Sequence, residues 1–154
     1  MDDIDRKLLA QLQDDCRQSI ADLSEKVGLS PSACHRRVKQ LEDRGIIQGY
    51  IAKLDGKQLG RLIEFFVEVS LDSQRGDALK AFEDAVQRIP EVLECYLMTG
   101  QSDFLLRVAA ADTQDYERFY RTRMSQLPGV ARIQSSLVLR TVRPWSGYPV
   151  GVFD

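Results

Sequence analysis

The chain has 154 residues, and at roughly 100 to 200 residues per domain this length excludes a large barrel enzyme and allows one ordinary or two very small domains. With 21 Lys and Arg against 23 Asp and Glu, the net charge of −2 excludes binding to a polyanion by bulk charge, so any nucleic-acid binding needs a local basic patch. The composition, 44% apolar and 29% charged, is typical of soluble globular proteins, and no window reaches the roughly 18 consecutive apolar residues of a membrane helix. We predict a soluble protein with no membrane partner.

The N-terminal residues and the cysteines both bear on where the protein works. The opening Met1–Asp3 has neither the basic nor the apolar region of a signal peptide, so we expect a cytoplasmic protein. The three cysteines, Cys16, Cys34 and Cys95, lie far apart, and we expect them to be reduced and mostly packed. The single histidine, His35, has no ligand partners at helical spacing, so we predict neither a metal site nor a bound cofactor.

The first sixty residues show helical periodicity. Behind an acidic opening that suits a helix N-terminus, apolar residues follow at four-residue spacing, namely Ile4, Leu8 and Leu12. A second, short helix is predicted from the N-cap residue Ser19 to Gly28. A third is predicted from the N-cap residue Ser30, with Pro31 at the first helical position, to Gly45.

A short helix, a glycine turn and a longer capped helix form the helix-turn-helix pattern, and Leu29 fits as the apolar residue of the turn. The run from Ile46 to Leu54 is strand-like and ends at the turn signal Asp55-Gly56, so we predict a wing or linker strand there. Residues 1–60 are therefore assigned to a helix-turn-helix domain with its linker strand.

The period changes to two after Leu62, where apolar residues alternate with polar ones from Ile63 to Leu71. Helical and strand-like segments then follow one another, with Pro90 ending the first helix. The predicted elements are strand 63–71, helix 77–89, strand 92–98, strand 104–110, helix 113–127 and strand 130–142.

Residues 61–154 contain an internal repeat. The pattern Phe65-x-Val67-x-Val69 returns 39 residues later as Phe104-x-Leu106-x-Val108, and the segment 89–92 returns as 127–130. Two βαβ units in tandem imply a four-stranded antiparallel sheet with both helices on one face, the ferredoxin-like arrangement. The predicted fold class is therefore α+β, with an N-terminal helix-turn-helix domain joined by a strand linker to a C-terminal ferredoxin-like βαββαβ domain over 61–154.

A sheet covered on one face leaves apolar residues uncovered, and we expect Phe66, Tyr96 and Met98 on the open side. This favours a homodimer. The irregular tail Arg143–Pro149 carries the only Trp, and it packs either on a neighbouring subunit or over its own sheet.

The third helix separates its apolar and polar residues. At 100° per residue, Cys34, Val38 and Leu41 share one face. The opposite face and its flanks carry polar residues, namely Ser32, His35, Arg36, Lys39 and Gln40, while Arg37 borders the apolar stripe. From Lys26 to Leu41 there are four Lys and Arg and no acid, although the first 60 residues contain ten of each sign.

Such a face is expected where a helix enters the major groove of double-stranded DNA, because Ser, Arg and Lys contact phosphates and Arg, His or Gln read base edges. We take Arg36 as the first choice for base reading. The alternative is an ordinary solvated helix face. The candidate DNA contacts are Ser30, Ser32, His35, Arg36, Arg37, Lys39 and Gln40. A binder with so little net charge needs several modules, which again favours a dimer or a larger assembly.

Five segments together carry a family resemblance: Asp5–Leu9, Leu23–Ser30, Arg37–Ile47, Thr99–Leu106 and Leu127–Val130. In this order and spacing they resemble the Lrp/AsnC family of bacterial and archaeal feast/famine transcription regulators, over nearly the whole chain. The resemblance implies a DNA-binding regulator rather than an enzyme. It also implies a C-terminal domain that senses a ligand and forms homodimers and often octamers.

In the family, a small effector, commonly an amino acid, binds near a Gly-x-x-Asp turn. The resemblance places that turn here at Thr99, Gly100, Gln101, Ser102 and Asp103. Its chemistry suits an amino acid, whose carboxylate needs backbone N–H donors and whose ammonium needs an acid. A hairpin loop closed by glycine and aspartate, with no ligand, is the alternative.

Two other functions share parts of this layout. A siroheme-decarboxylase-like enzyme resembles the same two-domain arrangement, but acid–base chemistry would require histidine and arginine in the second domain, and residues 61–154 contain no histidine. A sensor module that binds an amino acid without contacting DNA is the third possibility. The basic third helix favours the regulator over both.

Overall fold

The computed structural model describes residues 1–151, which form two compact units. The first unit contains Met1–Lys53 together with the tail from Arg143 onward, and the second contains Leu54–Val142. Helices make up the first unit, and a sheet with helices makes up the second, so the predicted α+β class is confirmed.

Three helices form the first unit: α1 over Asp3–Asp14, α2 over Ile20–Val27 and α3 over Pro31–Asp43. Ser19 and Ser30 are the N-cap residues of α2 and α3, as predicted, and each side chain accepts a hydrogen bond from a backbone N–H of the first turn. Gly28 ends α2 with φ +71°, the left-handed conformation that turns the chain toward α3. One core joins the helices through Leu8, Leu9, Leu23, Val27, Cys34, Val38 and Leu41, with Leu29 packed against it.

The predicted strand over 46–54 is wrong for this chain, since no β-strand lies there within the described residues. Ile51 is 90% exposed and Leu54 is 69% exposed. A strand requires a neighbouring backbone for its N–H and C=O groups, and this segment has none in the single chain.

The second unit follows the predicted βαββαβ order. Its elements are β1 over Ile63–Leu71, α4 over Gly76–Val86, β2 over Val92–Leu97, β3 over Phe104–Ala110, α5 over Thr113–Thr122 and β4 over Val130–Leu137. The sheet has the order β2-β3-β1-β4, and all three strand pairs are antiparallel. The ferredoxin-like arrangement is confirmed.

The predicted ends of four elements of the second unit differ from the structure. Strand β2 ends at Leu97 rather than Met98. Helix α4 ends at Val86 rather than Ile89, and α5 ends at Thr122 before a short 3-10 turn over Met124–Gln126. Strand β4 ends at Leu137 rather than Val142 because its partner β1 begins at Ile63, so the ladder has no further backbone to bind.

The two faces of the sheet differ as expected. Phe65, Val67 and Val69 of β1 are buried among the helices. On the open face and at its end, Phe66, Tyr96 and Met98 are 40%, 49% and 44% exposed. The open face also carries an ion-pair cluster across β1, β3 and the edge strand β2, in which Arg107 contacts Glu64 at 3.0 Å and Glu94 at 3.3 Å.

The cysteines are less packed than predicted. Only Cys34 is buried, and its burial raises the pKa of the thiol; Cys16 and Cys95 are exposed. Cys34 lies on the apolar face of α3 with Val38 and Leu41, whereas the sequence places Cys16 and Cys95 on no comparable apolar helix face.

Candidate DNA interface and effector turn

Helix α3 presents its polar face because its opposite face is fixed in the core. Cys34, Val38 and Leu41 are 0%, 8% and 1% exposed, and they set the rotation of the helix. The helix starts at Ser30, whose Oγ accepts a hydrogen bond from the Ala33 N–H at 3.3 Å. The remaining positions point to solvent, namely Ser32, His35, Arg36, Lys39 and Gln40.

The two exposed cations of this face are unpaired. Within residues 1–151, Arg36 and Lys39 form no ion pair and no side-chain hydrogen bond. The Ser32 hydroxyl lies 3.3 Å from the Ser30 hydroxyl, so one of the two donates to the other and the start of the helix adds one free hydroxyl donor to the same surface. Guanidinium, ammonium, imidazole, amide and hydroxyl groups therefore share one face, and this is the set that binds phosphates and base edges.

Arg37 differs from the other predicted DNA contacts. Its Nη1 lies 2.7 Å from Asp2 Oδ2 and 2.8 Å from Asp5 Oδ1, so its guanidinium ties α3 to the start of α1. Hydrogen bonds from the Asp5 N–H and from Arg37 lower the pKa of Asp2, and the two carboxylates raise the pKa of Arg37. The structure therefore gives Arg37 a stabilising role within the unit, which the sequence could not indicate because the partners lie more than thirty residues away.

The predicted effector turn lies between β2 and β3. The Met98 N–H donates to the Asp103 carbonyl at 2.8 Å and closes the loop, while the Asp103 N–H donates to the Val69 carbonyl at 2.9 Å and fixes the loop beside the end of β1. Gly100 has φ +131°, a conformation that side chains rarely adopt. Thr99, Gly100 and Gln101 are exposed, and Ser102 and Asp103 are half-buried.

The loop presents backbone donors to solvent. In the part of the chain that the structure describes, the N–H groups of Gly100, Gln101 and Ser102 donate to no protein acceptor. The Ser102 hydroxyl donates to Glu68 Oε2 at 3.3 Å, and the Ser70 hydroxyl donates to the Gln101 carbonyl at 3.5 Å. The loop is therefore fixed through its side chains and carbonyls, and its N–H groups remain available to an anion.

The carboxylate of Asp103 is held by two groups that sequence reasoning missed. Its Oδ2 accepts from the Leu71 N–H at 2.7 Å, and its Oδ1 accepts from the Gln74 side-chain amide at 2.8 Å. Gln74 lies 29 residues from Asp103 in sequence, on the loop between β1 and α4, and no local pattern marks it. The carboxylate that would bind a ligand ammonium therefore already accepts hydrogen bonds from two neutral N–H groups of the protein.

Among the described residues, no group of three or more His, Cys, Asp or Glu is placed to hold a metal ion. No helix of residues 1–151 combines the length and apolarity needed to cross a bilayer.

Two family models match the chain. One, described as the winged helix-turn-helix DNA-binding domain, matches residues 1–48, and the other, the Lrp/AsnC ligand binding domain, matches residues 64–146. The first contains α1, α2 and α3 with the polar face of α3, and the second contains the sheet and the effector turn. The two candidate surfaces therefore fall in a DNA-binding domain and in a ligand-binding domain.

Proteins similar to this chain are named as transcriptional or regulatory proteins. The chain is 43% identical to the Bkd operon transcriptional regulator of Pseudomonas aeruginosa, with 97% of this chain and 98% of the relative covered. It is 38% identical to the leucine-responsive regulatory protein of Escherichia coli, with 93% and 87% covered. A transcriptional regulator of Neisseria meningitidis, solved in complex with L-Met, has a similar structure, with TM-score 0.92, 37% identity and 97% of each chain covered.

Proposed function

The chain belongs to the Lrp/AsnC family of DNA-binding transcriptional regulators, and from this premise we propose that it binds operator DNA through the polar face of α3 and responds to an amino acid held at the turn 99–103. The observation that carries the proposal concerns Arg36 and Lys39. Both are exposed on the face of α3 opposite its buried residues, and neither forms an ion pair within residues 1–151. Its relatives bear the names of regulators, and we propose that this chain, too, has no enzymatic activity.

On DNA, each residue of α3 has a role set by its position. Arg36 reads a base edge, because a guanidinium at the exposed centre of a recognition helix forms paired hydrogen bonds with guanine. Lys39 and Ser32 bind phosphates and set the register, while His35, Gln40 and the capping hydroxyl of Ser30 lie at the flanks. We leave Arg37 out of this surface because its Nη1 binds both Asp2 and Asp5 and holds the side chain toward α1.

At the turn, the ammonium of a free amino acid binds Asp103 and its carboxylate binds the N–H groups of Gly100, Gln101 and Ser102, with Thr99 at the rim. Support comes from the L-Met bound to the similar Neisseria regulator. Binding changes DNA affinity or assembly only through a difference in affinity between two states of the protein.

Assembly follows from the open sheet face. Two copies that pack their sheets face to face cover Phe66 and Tyr96 on both, and octamers of such dimers are expected from the family. The protein works in the cytoplasm, where its DNA and free amino acids are.

The DNA proposal is tested by selecting genomic fragments with the purified chain at near-physiological salt and excess nonspecific DNA. The wild type enriches a few fragments. The Arg36→Ala variant binds them roughly tenfold or more weakly and loses base selectivity at one position of the operator. Lys39→Ala weakens all sequences equally and lowers the salt slope by about 1. Arg88→Ala is the matched control, because Arg88 is an exposed cation two residues after α4. Arg36→Ala and Lys39→Ala variants that select the same fragments with wild-type affinity would contradict the interface.

The effector proposal is tested in the same selection with a pool of the twenty amino acids and with L-methionine alone. An added amino acid shifts the affinity or the pattern of fragments for the wild type, and Asp103→Asn removes the shift while DNA binding without effector remains. A sensor that does not contact DNA would instead bind the amino acid and enrich no fragment.

A further inference from the structure

The C-terminal tail is bound by a side chain of α1. Gln13 uses both ends of its amide on one residue of the tail: its Nε2 donates to the Tyr148 carbonyl at 2.8 Å, and its Oε1 accepts from the Tyr148 N–H at 2.7 Å. This paired donor and acceptor reproduces the way in which one strand binds another. Gln13 thus recognises the backbone of the tail.

The residues beside Tyr148 fit this contact. Val150 packs against the apolar core of the three helices, which adds a partly buried apolar contact two residues on. Gly147 has φ +98°, and a Cβ at this position would lie 2.7 Å from Cδ of Gln13. A residue with a side chain at position 147 would therefore push the Gln13 amide away from the tail.

The origin of the tail makes the contact consequential. The chain leaves the sheet of the second unit at the end of β4 and re-enters the first unit from Arg143 onward. The first unit is therefore attached to the second by two segments, the one that follows α3 and the tail. A reversible second attachment is an element with two states, docked and released, that both units can bias.

We propose that Gly147–Val150 is a strap whose docking on Gln13 couples the effector-binding unit to the DNA-binding helices. The strap uses α1 and the core, and the contacts given above do not involve Ser32, Arg36 or Lys39, so it leaves the reading face of α3 open. Docking limits the freedom of the helices before DNA is bound, which reduces the ordering that binding requires. The coupling to DNA binding rests on the proposed function, whereas docking of the strap is measured independently of DNA.

The first arm measures docking on the full-length protein by hydrogen–deuterium exchange of the tail. Gln13→Ala removes both hydrogen bonds and Gly147→Ala displaces the amide, so the Tyr148 N–H exchanges about tenfold or more faster in both variants. Gln11→Ala on the same helix and Ser146→Ala in the tail are matched controls and exchange as the wild type does. Unchanged exchange at Tyr148 in both test variants would overturn the strap.

The second arm measures affinity for the most enriched DNA fragment, with and without the twenty-amino-acid pool. Gln13→Ala and Gly147→Ala bind this DNA several-fold more weakly and show a smaller effector response, while the controls keep both. Faster exchange with wild-type affinity and response would overturn the coupling and leave the tail as packing only. A wild type that selects no DNA would overturn the proposed function and the coupling together, and the exchange arm would still report docking on its own.

Discussion

Arg36 and Arg37 are adjacent arginines with different partners, one in solvent and one between two carboxylates. Arg37→Ala leaves the buried Asp5 without its cation, and we expect a loss of about 1 kcal/mol or more in the unfolding free energy of the first unit. DNA affinity measured well below the melting temperature changes little. Arg36→Ala has the opposite profile, with unchanged stability and weakened DNA binding. Thermal unfolding and DNA titration of both variants check this, and an Arg37→Ala protein of wild-type stability that has lost base selectivity would place Arg37 in the groove instead.

Gln74 competes with a ligand ammonium for Asp103. Its amide donates to Asp103 Oδ1 at 2.8 Å, and an ammonium on the same oxygen would share that oxygen with the amide or displace it. Gln74→Ala should therefore tighten effector binding by roughly threefold to tenfold, the worth of one net hydrogen bond of about 0.5–1.5 kcal/mol. Calorimetric titration with the amino acid that gives the strongest response measures this. Gln114→Ala, an exposed glutamine of α5, is the control. Weaker binding by Gln74→Ala would mean that Gln74 holds Asp103 for the ligand and does not compete with it.

The elements that could be predicted are those whose signals are local. The caps Ser19 and Ser30, the period of two in β1 and the similar pattern in β3 each lie within one turn or one strand, and the structure has them where expected. The linker strand failed because pairing depends on a second backbone, and β4 ended early for the same reason. The site followed the same division. The exposed face of α3 follows from helical period, whereas the partners of Arg37, Asp103 and the tail lie 29 to 135 residues away and leave no local trace.

The turn between α2 and α3 depends on one glycine. Gly28 has φ +71° and open space around its Cα, so an added methyl group meets strain in the backbone but no clash. Gly28→Ala should lower the unfolding free energy by about 1 kcal/mol, the cost of the left-handed conformation for a residue with a Cβ. Gly76→Ala is the control, because Gly76 begins α4 without a positive φ and also has open space. Denaturant unfolding measures the stability of both variants against the wild type. A Gly28→Ala protein as stable as the wild type would mean that the turn can adopt another conformation at no cost in free energy.

At the scale of the whole molecule, the sheet of one chain is covered on one face only, and the open face combines aromatic residues with acidic ones. Glu64 and Glu94 share Arg107, while the Glu68 carboxylate accepts only from the Ser102 hydroxyl among the described contacts. A partner that covers Phe66 and Tyr96 must therefore also satisfy this acid-rich surface. Arg107 balances only one of these three carboxylates, so a second copy can cover Phe66 and Tyr96 only in a two-fold arrangement that keeps the acidic clusters of the two chains apart.

Phe66→Glu tests this assembly. It places a further carboxylate in the proposed contact, beside an Arg107 that Glu64 and Glu94 already share, and the two-fold axis repeats it, so dimerisation should weaken by at least about a hundredfold, the effect of roughly 3 kcal/mol. Sedimentation velocity at micromolar concentration should then find monomers. Tyr120→Glu, an exposed aromatic on the helix-covered side, should still form dimers. Because one module with a net charge near zero holds few phosphates, the monomeric variant should also lose DNA affinity and show a shallower salt dependence. A dimeric Phe66→Glu protein would instead show that the copies meet through another surface, such as the exposed linker at Ile51 and Leu54, and that the sheet face is open to a different partner.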